Sequence, residues 1–153
     1  MNVKIKVHDL SDKDGGEQSG HASHQSGRDV DFGLYLKKNG QLVNEFESAI
    51  GQNLKNFDAQ ANWIFLKAMF ASGEIDNIFL DQQLIDKLAQ YAQQNEQDTA
   101  LVQNIFSKLK HYKNHYHHYH VRVSCPHDHQ MCMAGTSDSS KELLAKMEAY
   151  MLT

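Results

Sequence analysis

Apolar and polar residues alternate in the first part of the chain, which predicts β-strands. In residues 3–7, three apolar residues alternate with two lysines, the period of a strand with one buried face. Residues 30–36 show the same period, and KKNG at 37–40 is typical of a hairpin turn before residues 41–46. Residues 9–27 are rich in Ser, Asp, Gly and Gln, which predicts a long loop.

The middle of the chain changes to helical spacing. Apolar residues recur at intervals of three and four from Phe57 to Met69, and Gly73 is expected to end this helix. The short apolar run at 75–80 predicts a buried strand, and helical spacing returns over 84–92.

Three further elements are expected in the last third of the chain. A helix capped by Asp98 or Thr99 is expected to bury a face that continues to Leu109. Residues 116–125, rich in aromatic and β-branched residues, predict a strand, and a final helix is expected at 140–152. Strands followed by helices and a late strand predict an α+β fold with a small, mostly antiparallel central sheet and several packed helices.

Length and charge narrow the possible functions. A chain of 153 residues with 22% charged residues fits one soluble domain, here residues 1–153. Its 15 Lys and Arg against 19 Asp and Glu lack the basic surplus that nucleic-acid binding requires, so no nucleic-acid partner is expected. No apolar run approaches the roughly 20 residues of a membrane-spanning helix, and residues 1–10 lack the apolar segment of a signal peptide.

Histidine is the unusual feature of the composition, because most of the ten histidines are clustered. One cluster is the segment GHASHQSGRDVD at 20–31, and the other is HYHHYHVRV at 115–123. The first segment contains His21, His24, Asp29 and Asp31. The histidines His8, His111, His117, His127 and His129 are expected to be surface residues.

The second cluster has the geometry of a partial metal site. Side chains at i and i+2 of a strand share a face, so His118 and His120 are expected to point the same way. Zinc prefers imidazole and carboxylate ligands, and the histidines and aspartates of the first cluster can complete the set. On spacing alone, a polar surface strand or a generic histidine metal buffer stays open. The H-E-x-x-H helix signature is absent, which excludes a thermolysin-like site.

The combined pattern resembles a known family. It reads His21-x-x-His24, six residues and Asp31, then His115-x-x-His118-x-His120-Val121-Arg122, with Cys125-Pro126 and Cys132 following. This closely resembles the penicillin-insensitive murein endopeptidases. They belong to the wider group of zinc peptidases that includes lysostaphin, the D-alanyl-D-alanine peptidases and the hedgehog domain.

The resemblance implies a ligand set for one zinc ion. It assigns His24, Asp31 and His120 as the protein ligands, with water in the open position. Asp29 lies two residues before Asp31, shares its strand face and competes for the ligand role. The family spacing favours Asp31.

The resemblance also implies catalytic roles for other residues of the pattern. It assigns His118 as the general base, and His21 and His115 as residues that support the transition state or orient the substrate. For His21 and His115, hydrogen bonding behind the metal ligands is an equal alternative. Arg122 is expected either to bind a substrate carboxylate or to form a structural ion pair.

The two cysteines bear on the cellular location. The resemblance implies a Cys125–Cys132 disulfide and a periplasmic or otherwise exported protein. This conflicts with the missing signal peptide, and we expect either a chain trimmed at its start or export by another route.

The resemblance predicts a zinc-dependent peptidoglycan endopeptidase that acts on cross-linked peptides. The expected bond is D-alanyl-meso-diaminopimelate, with the bond between two diaminopimelates as a second candidate. A D-alanyl-D-alanine dipeptidase or carboxypeptidase and a non-catalytic zinc-holding binding module are the alternatives. Oligomeric state is not predicted.

Overall fold

The computed structural model describes residues 3–10 and 27–125, which form a six-stranded sheet and three α-helices. The strands are β1 (Val7–His8), β2 (Asp29–Lys38), β3 (Gln41–Glu45), β4 (Ile75–Leu80), β5 (Leu109–His111) and β6 (His118–Val123). The helices are α1 (Ala59–Ala71), α2 (Gln82–Asn95) and α3 (Thr99–Lys108), with a 3₁₀ helix at Gly51–Asn56. The α+β prediction is confirmed.

The sheet places β6 between β2 and β4. The strand order is β1-β2-β6-β4-β5, and β3 pairs with β2 as a hairpin. All pairs are antiparallel except β4 with β5. In the β2–β6 ladder, Asp31 lies opposite His120 and Asp29 lies opposite Arg122. The first and last parts of the sequence therefore meet at the middle of the sheet.

One face of this ladder forms the hydrophobic core. Phe32 of β2 and Tyr119 of β6 are both fully buried. Both contact Phe65 of α1, with ring centroids 5.4 Å and 5.6 Å from its own. Because side chains alternate along a strand, Asp31 and His120 must lie on the opposite face. The helices pack on the apolar face of the sheet. The polar face lies on the side of the sheet away from the helices.

A buried asparagine joins α1 to the sheet. Asn62 accepts hydrogen bonds from the Tyr35 backbone N–H at 3.1 Å and from the Tyr119 hydroxyl at 3.0 Å. Its amide donates to the carbonyls of Tyr35 and Asp58, at 2.7 Å and 2.8 Å. The β2–β6 pairing ends at Gly33, so the Asn62 side chain satisfies the backbone groups of Tyr35, which lie beyond the end of that pairing.

The structure confirms the predicted hairpin turn at 37–40, the end of α1 at Gly73 and the cap of α3 at Asp98. Asn39 and Gly40 have φ of 50° and 79°, the left-handed pair that a two-residue hairpin needs. Gly73, at φ 76°, follows the end of α1. Each of the three described α-helices begins after an aspartate whose side chain accepts a backbone N–H. The caps are Asp58, Asp81 and Asp98.

Two sequence predictions need correction. The first strand covers only Val7–His8, not residues 3–7. The Lys6 carbonyl accepts the Gly33 backbone N–H, but the Lys6 N–H donates to the side chain of Asn44 rather than to a backbone carbonyl, so the regular ladder does not extend to Lys6. Leu109 does not continue the face of α3 but begins β5, where it pairs with Ile78 and is 7% exposed.

Other predictions are confirmed or lie outside the described residues. The predicted strands at 75–80 and within 116–125 are confirmed as β4 and β6. The predicted helix at 140–152 and most of the loop at 9–27 lie outside the described residues. Among the described helices, none is long and apolar enough to cross a membrane.

We expect Asn62→Ala to lower the free energy of unfolding by about 2–4 kcal/mol, because it leaves buried groups of Tyr35 and Tyr119 without partners. Chemical denaturation followed by circular dichroism measures this. The matched control is Asn104→Ala on the exposed side of α3, which should change stability by less than about 0.5 kcal/mol. Equal effects of the two substitutions would show that Asn62 does not join α1 to the sheet.

Candidate active site

The polar face of the β2–β6 ladder carries a group of buried ionisable side chains. Asp29, Asp31 and His120 are 0%, 3% and 4% exposed. All three lie on the face opposite the helices, as their strand positions predict. Burying charged groups is costly unless they are paired, so their mutual contacts define the site.

His120 lies between the two aspartates. Its Nε2 is 2.9 Å from Oδ1 of Asp29, and its Nδ1 is 3.3 Å from Oδ1 of Asp31. Burial acts to lower the pKa of His120, but the hydrogen bond to Asp29 and the negative charges of both carboxylates outweigh it and raise the pKa to about 9. Both nitrogens of one imidazole are therefore directed at carboxylate oxygens.

Arg122 holds Asp29 from the other side. Its Nε donates to Oδ1 of Asp29 at 2.8 Å, and its Nη2 donates to Oδ2 at 3.2 Å. Burial acts to raise the pKa of Asp29, yet the bonds from His120 and Arg122 lower it below its ordinary value. Of the two roles expected for Arg122, the structure places it in an ion pair.

His118 and His115 complete a histidine cluster around His120. Ring nitrogens of these three histidines all lie within 4.8 Å of one another, close enough to hold a metal ion. His118 also approaches Asp31, with its Nε2 3.7 Å from Oδ2. Burial lowers the pKa of His118 to about 4, against the opposing charge of Asp31. Burial also lowers the pKa of His115.

His115 reaches the cluster from the turn before β6. Its carbonyl accepts the Asp81 N–H at 2.8 Å, and its Nδ1 lies 3.1 Å from the Lys113 carbonyl oxygen. The bond to Asp81 ties the turn to the end of β4, so His115 is placed by a neighbouring strand rather than by its own.

Phe79 lies at the site but was not predicted there from the sequence. Its ring lies 5.4 Å from that of His120 and 6.2 Å from that of His115, on the same face of the sheet. Alternation within β4 was the available signal, because Ile78 and Leu80 enter the core and must leave Phe79 on the other face.

Phe46 and His8 lie at the edge of the site. The Phe46 ring is 6.1 Å from that of His118 and 4.9 Å from that of His8. His8 pairs with Asp31 across β1 and β2, and its side chain is 69% exposed. The prediction of His8 as a surface residue is confirmed, but its position beside the site was missed.

Several predicted residues lie outside the described part of the chain. These are His21, His24 and Cys132. Cys125 is described and is not a free thiol. The roles of His21 and His24 and the pairing of Cys125 with Cys132 stay predictions.

The donor chemistry fits a divalent metal such as zinc. Imidazole nitrogens and a carboxylate, all largely shielded from water, are the ligands that catalytic zinc sites use. Fold and site together define an α+β protein with a candidate metal centre on the face of its sheet opposite the described helices.

The comparison with protein families agrees with this class. Residues 1–144 match the penicillin-insensitive murein endopeptidase family, so the chain belongs to this family. The resemblance inferred from the His and Asp pattern is thereby confirmed. No individual curated protein matches the chain. Membership of the family indicates a peptidase that acts on murein, the peptidoglycan of the cell wall.

We expect the protein to retain one tightly bound zinc ion after exhaustive dialysis, and His120→Ala to lose it. Zinc at 100 times its Kd should stabilise the wild type by about 2.7 kcal/mol. Metal analysis and thermal unfolding with and without zinc measure both effects. His111→Ala removes an exposed histidine of β5 and should behave as the wild type. Several weakly bound ions, lost equally from both variants, would indicate a generic histidine metal buffer instead.

Proposed function

We propose that the chain is a zinc-dependent peptidoglycan endopeptidase, with residues 1–153 forming a single catalytic domain. The proposed substrate bond is the D-alanyl-meso-diaminopimelate cross-link, with the bond between two diaminopimelates as a second one. The juxtaposition of Asp31, His118 and His120 on one buried sheet face, in a chain of this family, is the observation that carries the proposal.

The proposed zinc ligands are His24, Asp31 and His120. Ligand atoms about 2.0–2.1 Å from a tetrahedral zinc lie about 3.4 Å apart. Nδ1 of His120 and Oδ1 of Asp31 are 3.3 Å apart, close to that separation. The cluster of His120 with His115 and His118 is looser, extending to 4.8 Å, which favours Asp31 as a ligand over those two.

Zinc in such a site lowers the pKa of a coordinated water to about 7 and polarises the scissile carbonyl. The proposed role of His118 is to accept the proton of the attacking water and to return it to the leaving amine. Its Nε2 is the nitrogen nearer to Asp31, so the proton is taken at that atom. A neutral imidazole has one lone pair that can accept this proton.

His115 and His21 take supporting roles in the proposal. The ring of His115 is 4.9 Å from that of His118, close enough to orient either the base or a substrate carbonyl. His21 is assigned from the family pattern. The substrate also places the protein in the periplasm or at the cell wall, where a Cys125–Cys132 disulfide is stable.

We expect His118→Ala to lower kcat for dimeric muropeptides by about 10²–10⁴-fold while zinc content stays at the wild-type level. Chromatography with mass spectrometry of defined cross-linked muropeptides measures the rate and identifies the bond. Control reactions use His111→Ala. Undiminished cleavage by the His118 variant would reject the base assignment.

The product masses also separate the alternatives. An endopeptidase converts dimers to monomers, whereas a D-alanyl-D-alanine carboxypeptidase or dipeptidase shortens uncross-linked peptides. Stoichiometric zinc with no turnover of any of these substrates would identify a zinc-holding binding module.

The ligand set makes a separate prediction. Asp31→Ala should lose zinc because it removes a ligand, whereas His115→Ala should retain one ion per chain. Equilibrium dialysis with atomic absorption measures both. Loss of zinc from the His115 variant with retention by the Asp31 variant would indicate instead that His115, His118 and His120 bind the metal.

A further inference from the structure

We propose that Asp29 is a positioning residue of the metal centre, which fixes the tautomer and orientation of His120, and that Arg122 holds Asp29 in place for this task. This inference rests on the proposed function. It gives different roles to Asp29 and Asp31, which strand periodicity alone does not distinguish: Asp31 is the proposed ligand, and Asp29 positions His120.

The two ring nitrogens of His120 face different carboxylates. A neutral imidazole carries one N–H and one lone pair, and the hydrogen bond that one nitrogen makes decides which nitrogen carries the proton. Asp29 is fully buried, and its Oδ1 lies 2.9 Å from Nε2 of His120. A carboxylate only accepts hydrogen bonds, so Asp29 holds a proton on Nε2. A metal ion on the Nδ1 side, which faces Asp31 at the longer distance of 3.3 Å, would replace the proton there.

Asp29 cannot share an ion with Asp31 in this arrangement. Nδ1 and Nε2 point away from each other across the imidazole ring, so an ion at Nδ1 lies on the far side of the ring from Asp29. Oδ1 of Asp29 already receives hydrogen bonds from His120 and Arg122, and Oδ2 receives one from Arg122. Metal-bound histidines commonly donate their second N–H to a carboxylate in this way.

Arg122 gives Asp29 a fixed orientation as well as a compensating charge. The guanidinium donates through two nitrogens, a geometry that a lysine cannot reproduce. Asp29 and Arg122 are also direct partners in the β2–β6 ladder. The position of the Asp29 carboxylate is therefore fixed by the backbone pairing of β2 with β6 and by the two hydrogen bonds from the Arg122 guanidinium, before any ligand binds.

The test is the zinc affinity of the full chain, measured by competition with a chromophoric chelator. We expect Asp29→Asn to bind zinc about 10–100-fold more weakly than the wild type, because the amide accepts the hydrogen bond without the charge. Asp76→Asn is the matched control, since Asp76 forms the other arginine pair of the sheet, 2.9 Å from Arg28. It should bind zinc as the wild type does.

A second variant separates positioning from folding. Arg122→Lys keeps the charge beside Asp29 and should weaken zinc binding less than Asp29→Asn does, while circular dichroism of the metal-free protein reports whether each variant is folded. The visible spectrum of the Co²⁺-loaded Asp29→Asn protein should keep four-coordinate intensity with shifted bands. If that variant does not fold, the affinity and spectrum of Arg122→Lys decide.

Three results would overturn the inference. Wild-type zinc affinity in folded Asp29→Asn or, where that variant is unfolded, in Arg122→Lys would leave Asp29 a purely structural residue. Loss of zinc as complete as in Asp31→Ala, with loss of four-coordinate intensity, would make Asp29 a ligand. A wild type that cleaves muropeptides without binding zinc would remove the proposed function itself, an outcome distinct from the other two.

Discussion

The antiparallel register between β2 and β6 is the constraint on which the site depends. It sets Asp31 opposite His120 and, by the same alternation, directs Phe32 and Tyr119 into the core. A slip of one residue would exchange the two faces, burying carboxylates under the helices and exposing aromatic rings. The free energy of burying the aromatic side chains therefore selects the register, and the polar cluster is its consequence on the other face.

The same ladder brings together groups that oppose burial. The buried carboxylates of Asp29 and Asp31 lie two residues apart in β2 and therefore share a face of the sheet. This arrangement is unfavourable without compensating positive charge. Arg122 supplies that charge at Asp29, and His120 contacts both aspartates. The carboxylate of Asp31 faces His118 rather than an arginine, so its surroundings suit a cationic ligand better than those of Asp29 do.

Local sequence signals predict much of this arrangement. Alternation identifies β2 and assigns His118 and His120 to one face, a short apolar run identifies β4, aromatic and β-branched residues identify β6, and the Asn39-Gly40 pair locates the hairpin. Local signals predict secondary structure less well where a segment's structure depends on a partner distant in sequence. Leu109 fits a helical face and becomes a strand residue because β4 lies beside it. The family pattern, not periodicity, is what associates Asp31 with histidines far along the chain.

Periodicity also explains why the sequence pattern alone does not distinguish the roles of Asp29 and Asp31, which share one face of β2. A period of two specifies the face of a side chain but not which edge of a neighbouring ring it meets. That edge depends on the ring orientation of His120, which presents Nε2 to Asp29 and Nδ1 to Asp31. The Nδ1 edge faces the end of the cluster that His115 and His118 occupy. Exposed Tyr112 and Tyr116 lie in the segment that carries His115, and the Tyr112 ring is 5.3 Å from that of His115 at this end of the cluster.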